Sequence, residues 1–117
     1  MIKIQRIYTQ NEEDGYRILV DRFWPRGITK KGTVIDLWMK EAAPSKALRK
    51  WFNHDPEKFD EFRNKYRSEL LVNPEIKNLL NLEKEHKTII LLYGAKDEMH
   101  NQAVILKEYL EDMDTDI

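Results

Sequence analysis

The sequence predicts an α/β domain with three layers, in which a small, mostly parallel sheet of about four strands is flanked by helices. Two runs, Ile18-Leu19-Val20 and residues 88–93, are apolar at consecutive positions, as expected for strands covered on both faces. Helical patterns separate these runs, and that alternation is typical of parallel sheets. The 117 residues, 41% of them hydrophobic, are expected to form one domain over residues 1–117.

Four segments are predicted as strands. Residues 2–8 alternate between apolar and polar side chains, and residues 16–23 surround the first apolar run. Residues 33–40 are ambiguous between strand and helix, and the β-branched residues there favour a strand. Residues 88–93 form the last predicted strand. The order of the strands in the sheet cannot be read from this pattern.

The helices are predicted from capping residues and periodicity. Ser45 is a cap candidate for a short helix, and Asp55 with Pro56 begins a helix over residues 56–71. Asn73-Pro74 ends that helix and precedes another. Asp97 is expected to cap the last helix. The inward positions of the helices from residue 56 onward are predicted to be Phe59, Phe62, Tyr66, Leu70, Ile76, Leu79, Leu80, Met99, Ala103, Leu106 and Leu110.

Composition excludes several classes of function. The formal charge of −1 provides no overall attraction to nucleic acid or to anionic membranes, so a nucleic-acid partner is not favoured. The absence of cysteine excludes disulfides and thiolate chemistry. No apolar stretch approaches the length of a membrane span, and a cytoplasmic protein is expected. No cofactor is indicated, and the chain could be a monomer or a homodimer.

Polar side chains cluster after two of the predicted strands. Ligands of open parallel sheets bind at the carboxyl ends of the strands. If the two strands are neighbours, these side chains share one edge, which suits an anionic or phosphorylated small molecule. The candidates for this site are Asp21, Arg22, Trp24, Arg26, Tyr93, Asp97 and His100.

The roles of these residues follow from their chemistry. Arg22 and Arg26 would hold the anion, and His100 or Asp21 would transfer a proton if the protein is an enzyme. His100 is expected in the first turn of the last helix, where the helix dipole favours a neutral imidazole. His54 precedes a helix cap and is interpreted as an ordinary flanking residue.

Structural interpretations stay open beside the functional ones. Asp21 could pair with Arg22 or Arg26 to hold a corner of the chain, and Trp24 could fill a core. The sequence contains no HExxH motif and no glycine-rich phosphate loop, so no metal site is predicted.

The alternative function is a non-catalytic interaction module that uses the basic face of helix 56–71. Arg63 and Arg67 lie one turn apart and could contact phosphate or an acidic protein. They could also be neutralised within the chain, with Arg63 paired to Asp60 or Glu69.

Three stretches, "DGYRILVDRFWPRG", "LRKWFNHDPEKFDEFRNKYRSEL" and "LLYGAKDEMHNQAVILKEYL", closely resemble the YeaO-like bacterial family of domains of unknown function. The resemblance extends from Ile4 to about Leu110 and implies a small cytoplasmic α/β domain without an established activity. A wider group of relatives carries a cysteine motif after the last strand. Here that strand ends in Tyr93 and "EMHNQ" follows, so thiol chemistry does not carry over.

Overall fold

The structure is a computed structural model that describes residues 1–9, 13–29 and 35–115. Two short 3-10 turns, Lys40–Ala42 and Pro56–Lys58, accompany the strands and helices. No helix among the described residues is long and apolar enough to cross a membrane. The regular elements are β1 (Ile2–Arg6), β2 (Tyr16–Leu19), β3 (Leu37–Trp38), α1 (Lys46–Phe52), α2 (Phe59–Leu71), α3 (Glu75–His86), β4 (Ile89–Tyr93) and α4 (Gln102–Thr115).

The four strands form one parallel sheet in the order β1-β4-β2-β3. Ile18 of β2 lies beside Leu91 of β4, which places the two apolar runs next to each other. All five residues of β4 are buried, because strands lie on both sides of it and side chains cover both faces. The predicted α/β class and the parallel sheet of four strands are confirmed.

The two faces of the sheet are covered differently. Ile89 and Leu91 face a core to which all four α-helices contribute, whereas Ile90 and Leu92 face a smaller second core. Loop side chains and one strand residue cover that second core: Trp24, Ile28, Ile35 and Trp38. In the described part of the chain, the helices therefore cover one face of the sheet and loop side chains cover most of the other.

β2 is shorter than the predicted strand over residues 16–23. Its sheet hydrogen bonding ends where the N–H of Val20 donates to the carbonyl of Leu92 at 3.0 Å. Beyond it, the indole N–H of Trp24 donates to the carbonyl of Ile28 at 2.5 Å, and Gly27 has a φ of 78°. A positive φ belongs to a turn and not to a strand. In the predicted strand 33–40 only Leu37–Trp38 is a strand, and residues 33 and 34 lie outside the described residues.

The predicted helix caps are confirmed at two sites. The hydroxyl oxygen of Ser45 accepts a hydrogen bond from the N–H of Leu48 at 3.2 Å, and the carboxylate of Asp55 accepts one from Glu57 at 3.0 Å. The second cap begins the 3-10 turn that leads into α2. The predicted apolar face of α2 is buried: Phe59, Phe62, Tyr66 and Leu70.

The prediction for the last helix is wrong at its beginning. α4 begins at Gln102, and Asn101 caps it by accepting a hydrogen bond from the N–H of Val104 at 3.2 Å. Asp97 instead closes a separate turn before the helix, so His100 is not in the first helical turn. Met99 was expected to point inward, and it is 73% exposed.

Candidate anion-binding cleft

A cleft of about 890 Å³ lies at the carboxyl ends of β2 and β4. Residues 21–26, which follow β2, line one side, and residues 94–97, which follow β4, line another. The two polar segments meet because their strands are hydrogen-bonded neighbours. The end of α1 contributes a third wall with Arg49, Lys50, Phe52, Asn53 and His54. This is where parallel sheets commonly bind ligands.

Asp21 connects the two strand ends. Its Oδ2 accepts a hydrogen bond from the backbone N–H of Gly94 at 2.8 Å, and its Oδ1 accepts one from the side-chain amide of Gln102. Burial raises the pKa of Asp21, while these two hydrogen bonds and the nearby His54 oppose the shift. The structural alternative, an ion pair of Asp21 with Arg22 or Arg26, does not form among the described residues.

The cationic side chains of the cleft are mostly unneutralised. The Nη1 of Arg22 is 3.4 Å from the carboxylate of Glu41, and its buried Nε has no acceptor among the described residues. Arg26 and Lys96 are exposed, and neither forms an ion pair within the part of the chain that the structure describes. The guanidinium of Arg49 lies 5.1 Å from the centre of the Phe23 ring.

Aromatic side chains are also among the residues that line the cleft. The rings of Phe52 and Phe62 are stacked with centroids 4.0 Å apart, and both line the cleft. Trp24 also lines it, but its ring packs edge-on against Trp38 in the second core. Trp24 therefore contributes to packing as well as to the cleft, in agreement with the structural interpretation of this residue.

Two of the sequence-predicted site residues are not among the residues that line the cleft. Tyr93 is 3% exposed, and burial raises the pKa of its hydroxyl. His100 lies in the turn before α4, where its Nδ1 is 2.9 Å from the Oδ2 of Asp97 and its ring contacts Phe59 edge-on. Backbone hydrogen bonds from Met99 and His100, with the His100 ring, lower the pKa of Asp97.

The histidine of the cleft is His54. Asn53 ends α1 with a φ of 46°, and His54 follows with a φ of 56°. Two consecutive left-handed residues reverse the chain and place the imidazole in the cleft wall. Asn and His are residues that tolerate this conformation. The sequence signal was therefore the Asn-His pair between a helix end and the Asp55 cap.

The basic face of α2 is neutralised within the chain. The Nε of Arg63 is 3.0 Å from the carboxylate of Glu108, and its Nη1 is 3.0 Å from Asp60. Arg67 pairs with Asp112 at 2.9 Å. Of the two alternative partners considered for Arg63, Asp60 forms the ion pair, and Glu108 is a further partner that the sequence did not indicate. Both arginines hold α2 against α4, which leaves less of their charge for an external partner.

No group of three His, Asp or Glu side chains is placed to hold a metal ion in the described ranges.

Comparisons with known proteins place the chain in a family. The uncharacterised protein YeaO of Escherichia coli (strain K12) is 41% identical over 114 residues, which cover 96% of this chain and 98% of that protein. Uncharacterised proteins of Mycobacterium tuberculosis (strain ATCC 25618 / H37Rv) and Mycobacterium bovis are each 47% identical over 70 residues. Those 70 residues are 59% of this chain and 59% of each of those proteins.

No solved structure matches the chain. Residues 1–116 match the family described as the inactive DUF488-N3 subclade. The YeaO-like resemblance seen in the sequence is thereby confirmed, and the chain belongs to the inactive DUF488-N3 subclade.

Proposed function

We propose that the protein binds a small anionic molecule in the cleft, without catalysis. The charge of the residues that line the cleft supports this proposal, because five of them have cationic side chains and two have carboxylates. Both carboxylates are already engaged inside the protein, Asp21 by Gly94 and Gln102, and Asp97 by Met99 and His100. Arg26 and Lys96, which form no ion pair within the described residues, therefore remain available to an anion from solution.

The cleft suits recognition of a phosphate or carboxylate group. Arginine forms paired hydrogen bonds with such groups, and these bonds are stronger than those between neutral partners. Arg22 has a buried Nε without an acceptor, and a buried donor of this kind normally finds a partner. A bound anion would provide it.

The geometry favours binding over proton transfer. The two residues expected to transfer a proton are both held within the protein. Each oxygen of Asp21 accepts a hydrogen bond, one from Gly94 and one from Gln102. His100 is paired with Asp97 and is not a lining residue of the cleft. The description of the subclade as inactive points in the same direction.

The test is thermal unfolding with inorganic phosphate at constant ionic strength. A ligand that binds only the folded state stabilises it by RT ln(1 + [L]/Kd), about 2.7 kcal/mol at a hundredfold excess over Kd. Phosphate also stabilises proteins nonspecifically, so variants are needed. The cleft variant is Arg26→Ala/Lys96→Ala, and the matched control is Lys77→Ala/Lys84→Ala on exposed positions of α3.

We expect phosphate to raise the Tm of the wild type and of the α3 control equally, and to raise that of the cleft variant less. Both double variants remove the same charge, so a general electrostatic effect would weaken both alike. Equal phosphate stabilisation of all three proteins would contradict the proposal.

A further inference from the structure

The cleft combines its cations with apolar lining residues. These are Ala43, Pro44, Phe52 and Phe62, and the stacked rings of Phe52 and Phe62 belong to residues that are only 6% and 2% exposed. An inorganic anion gains nothing from such a surface, because burial of apolar area stabilises only apolar parts of a ligand. The surface indicates a ligand whose anionic group is attached to a flat apolar body.

Phe23 provides a second aromatic surface at the rim. It is 69% exposed and lines the cleft. The guanidinium of Arg49 lies over its ring, and the Nε of Arg49 is held by a hydrogen bond to the carbonyl of Pro44 at 3.2 Å. Phe23 and Arg49 are thus an aromatic ring and a planar cation held together, a combination on which nucleobases stack.

His54 adds another planar ring on this side of the cleft. Asn53 ends α1 in the left-handed conformation that is common at helix ends, and His54 follows with a positive φ. The ring centroids of His54 and Phe52 are 6.5 Å apart, and both residues line the cleft.

We propose that the ligand is a free mononucleotide, in which a planar ring lies against Phe23 and Arg49 while the phosphate is held by Arg22, Arg26 and Lys96. This inference rests on the proposed anion-binding function and adds the aromatic group of the ligand. The volume of about 890 Å³ lies within the range of small-molecule pockets.

The test compares three probes by isothermal titration calorimetry at constant ionic strength. AMP has a ring and a phosphate, ribose 5-phosphate has the phosphate without the ring, and adenosine has the ring without the phosphate. AMP should bind at least about fivefold more tightly than ribose 5-phosphate, the lower end of the range for base stacking on aromatic side chains. Adenosine should bind more weakly than AMP.

The variant Phe23→Leu should abolish the advantage of AMP and leave ribose 5-phosphate binding unchanged. Leu71→Ala, at an exposed apolar position of α2 (76% exposed) that does not line the cleft, is the control and should behave as the wild type. Because Phe23 is exposed, its replacement is not expected to unfold the chain.

The outcomes separate the two proposals. If ribose 5-phosphate and AMP bind equally well, the ring is not recognised and only the mononucleotide inference fails. If neither binds, the anion-binding proposal fails as well. If a short single-stranded oligonucleotide binds more tightly than AMP, a free mononucleotide is the wrong ligand and the inference is overturned.

Discussion

The carboxylate of Asp21 accepts a hydrogen bond from the backbone N–H of Gly94 at 2.8 Å, across 73 residues of sequence. This contact joins the first residue beyond the sheet pairing of β2 to the first residue beyond β4. The same carboxylate also accepts a hydrogen bond from Gln102 at the beginning of α4. One side chain therefore holds together the three segments that meet beneath the cleft.

Replacement of Asp21 by alanine should destabilise the fold. The partly buried N–H of Gly94 would lose its acceptor, which costs about 1–3 kcal/mol. In Asp21→Asn the amide oxygen can still accept the hydrogen bond from Gly94. Its N–H₂ group can donate to the side-chain oxygen of Gln102 once the Gln102 amide has rotated, so the loss of stability should be clearly smaller. Urea denaturation with equal m-values measures both. Equal free energies of unfolding for the two variants would show that the hydrogen bonds do not matter.

The stability contribution of Asp21 should depend on pH. Burial raises its pKa in the folded state above the ordinary value of 3.8, so over the interval between the two pKa values the folded state binds more protons than the unfolded state. Stability from this group is fully present below pH 3.8 and is lost as the pH rises through the folded pKa. We therefore expect the free energy of unfolding of the wild type minus that of Asp21→Asn to decrease as the pH rises from about 3 to about 7, and then to level off. A difference that increases with pH would mean that the pKa is lowered instead.

Gly94→Ala should be destabilising because the new Cβ would lie 3.0 Å from the Oδ2 of Asp21. Overpacking of this kind typically costs about 1–3 kcal/mol. In the Asp21→Ala background the obstructing oxygen is absent, so the added cost should be smaller, and a double-mutant cycle measures the coupling.

Gly27→Ala is the control for that cycle. Apart from the two neighbours of Gly27 in the chain, no described residue has an atom within 4 Å of a Cβ at this position, but its φ is 78°. Its cost should therefore come from backbone strain alone and be the same with or without Asp21. Additive costs at Gly94 and Asp21 would show that their close approach is not what requires glycine.

Much of the fold could be predicted because local patterns determine it. The consecutive apolar residues of β4 identified a strand covered on both faces, and Ser45 and Asp55 identified two helix starts through their capping oxygens. The last helix was misplaced because Asp97 and Asn101 are both good caps, and the sequence does not show which one the helix uses. In the structure Asp97 closes a turn with Met99 and His100, and α4 begins only after Asn101.

The candidate site could be predicted in part. The rule that ligands lie at the carboxyl ends of parallel strands correctly brought residues 21–26 and 94–97 together. The contribution of α1 was missed, because the Asn-His pair indicates a turn after the helix but not that this turn faces the cleft. His100 was expected to be the histidine of the site because the last helix was predicted to begin directly after Asp97. In the structure that helix begins four residues later.

By itself the sequence determined the class of the fold, the parallel sheet and the position of a polar edge, since these depend on periodicity and on residue types along the chain. Only the tertiary structure decided the strand order, the coverage of the second face by loop side chains and the partners of Asp21. Those features depend on contacts between residues far apart in the chain, such as Asp21 with Gly94 and Gln102. The residue type alone determines the charge of a side chain. Whether that charge is neutralised depends on which distant segment of the chain packs against it.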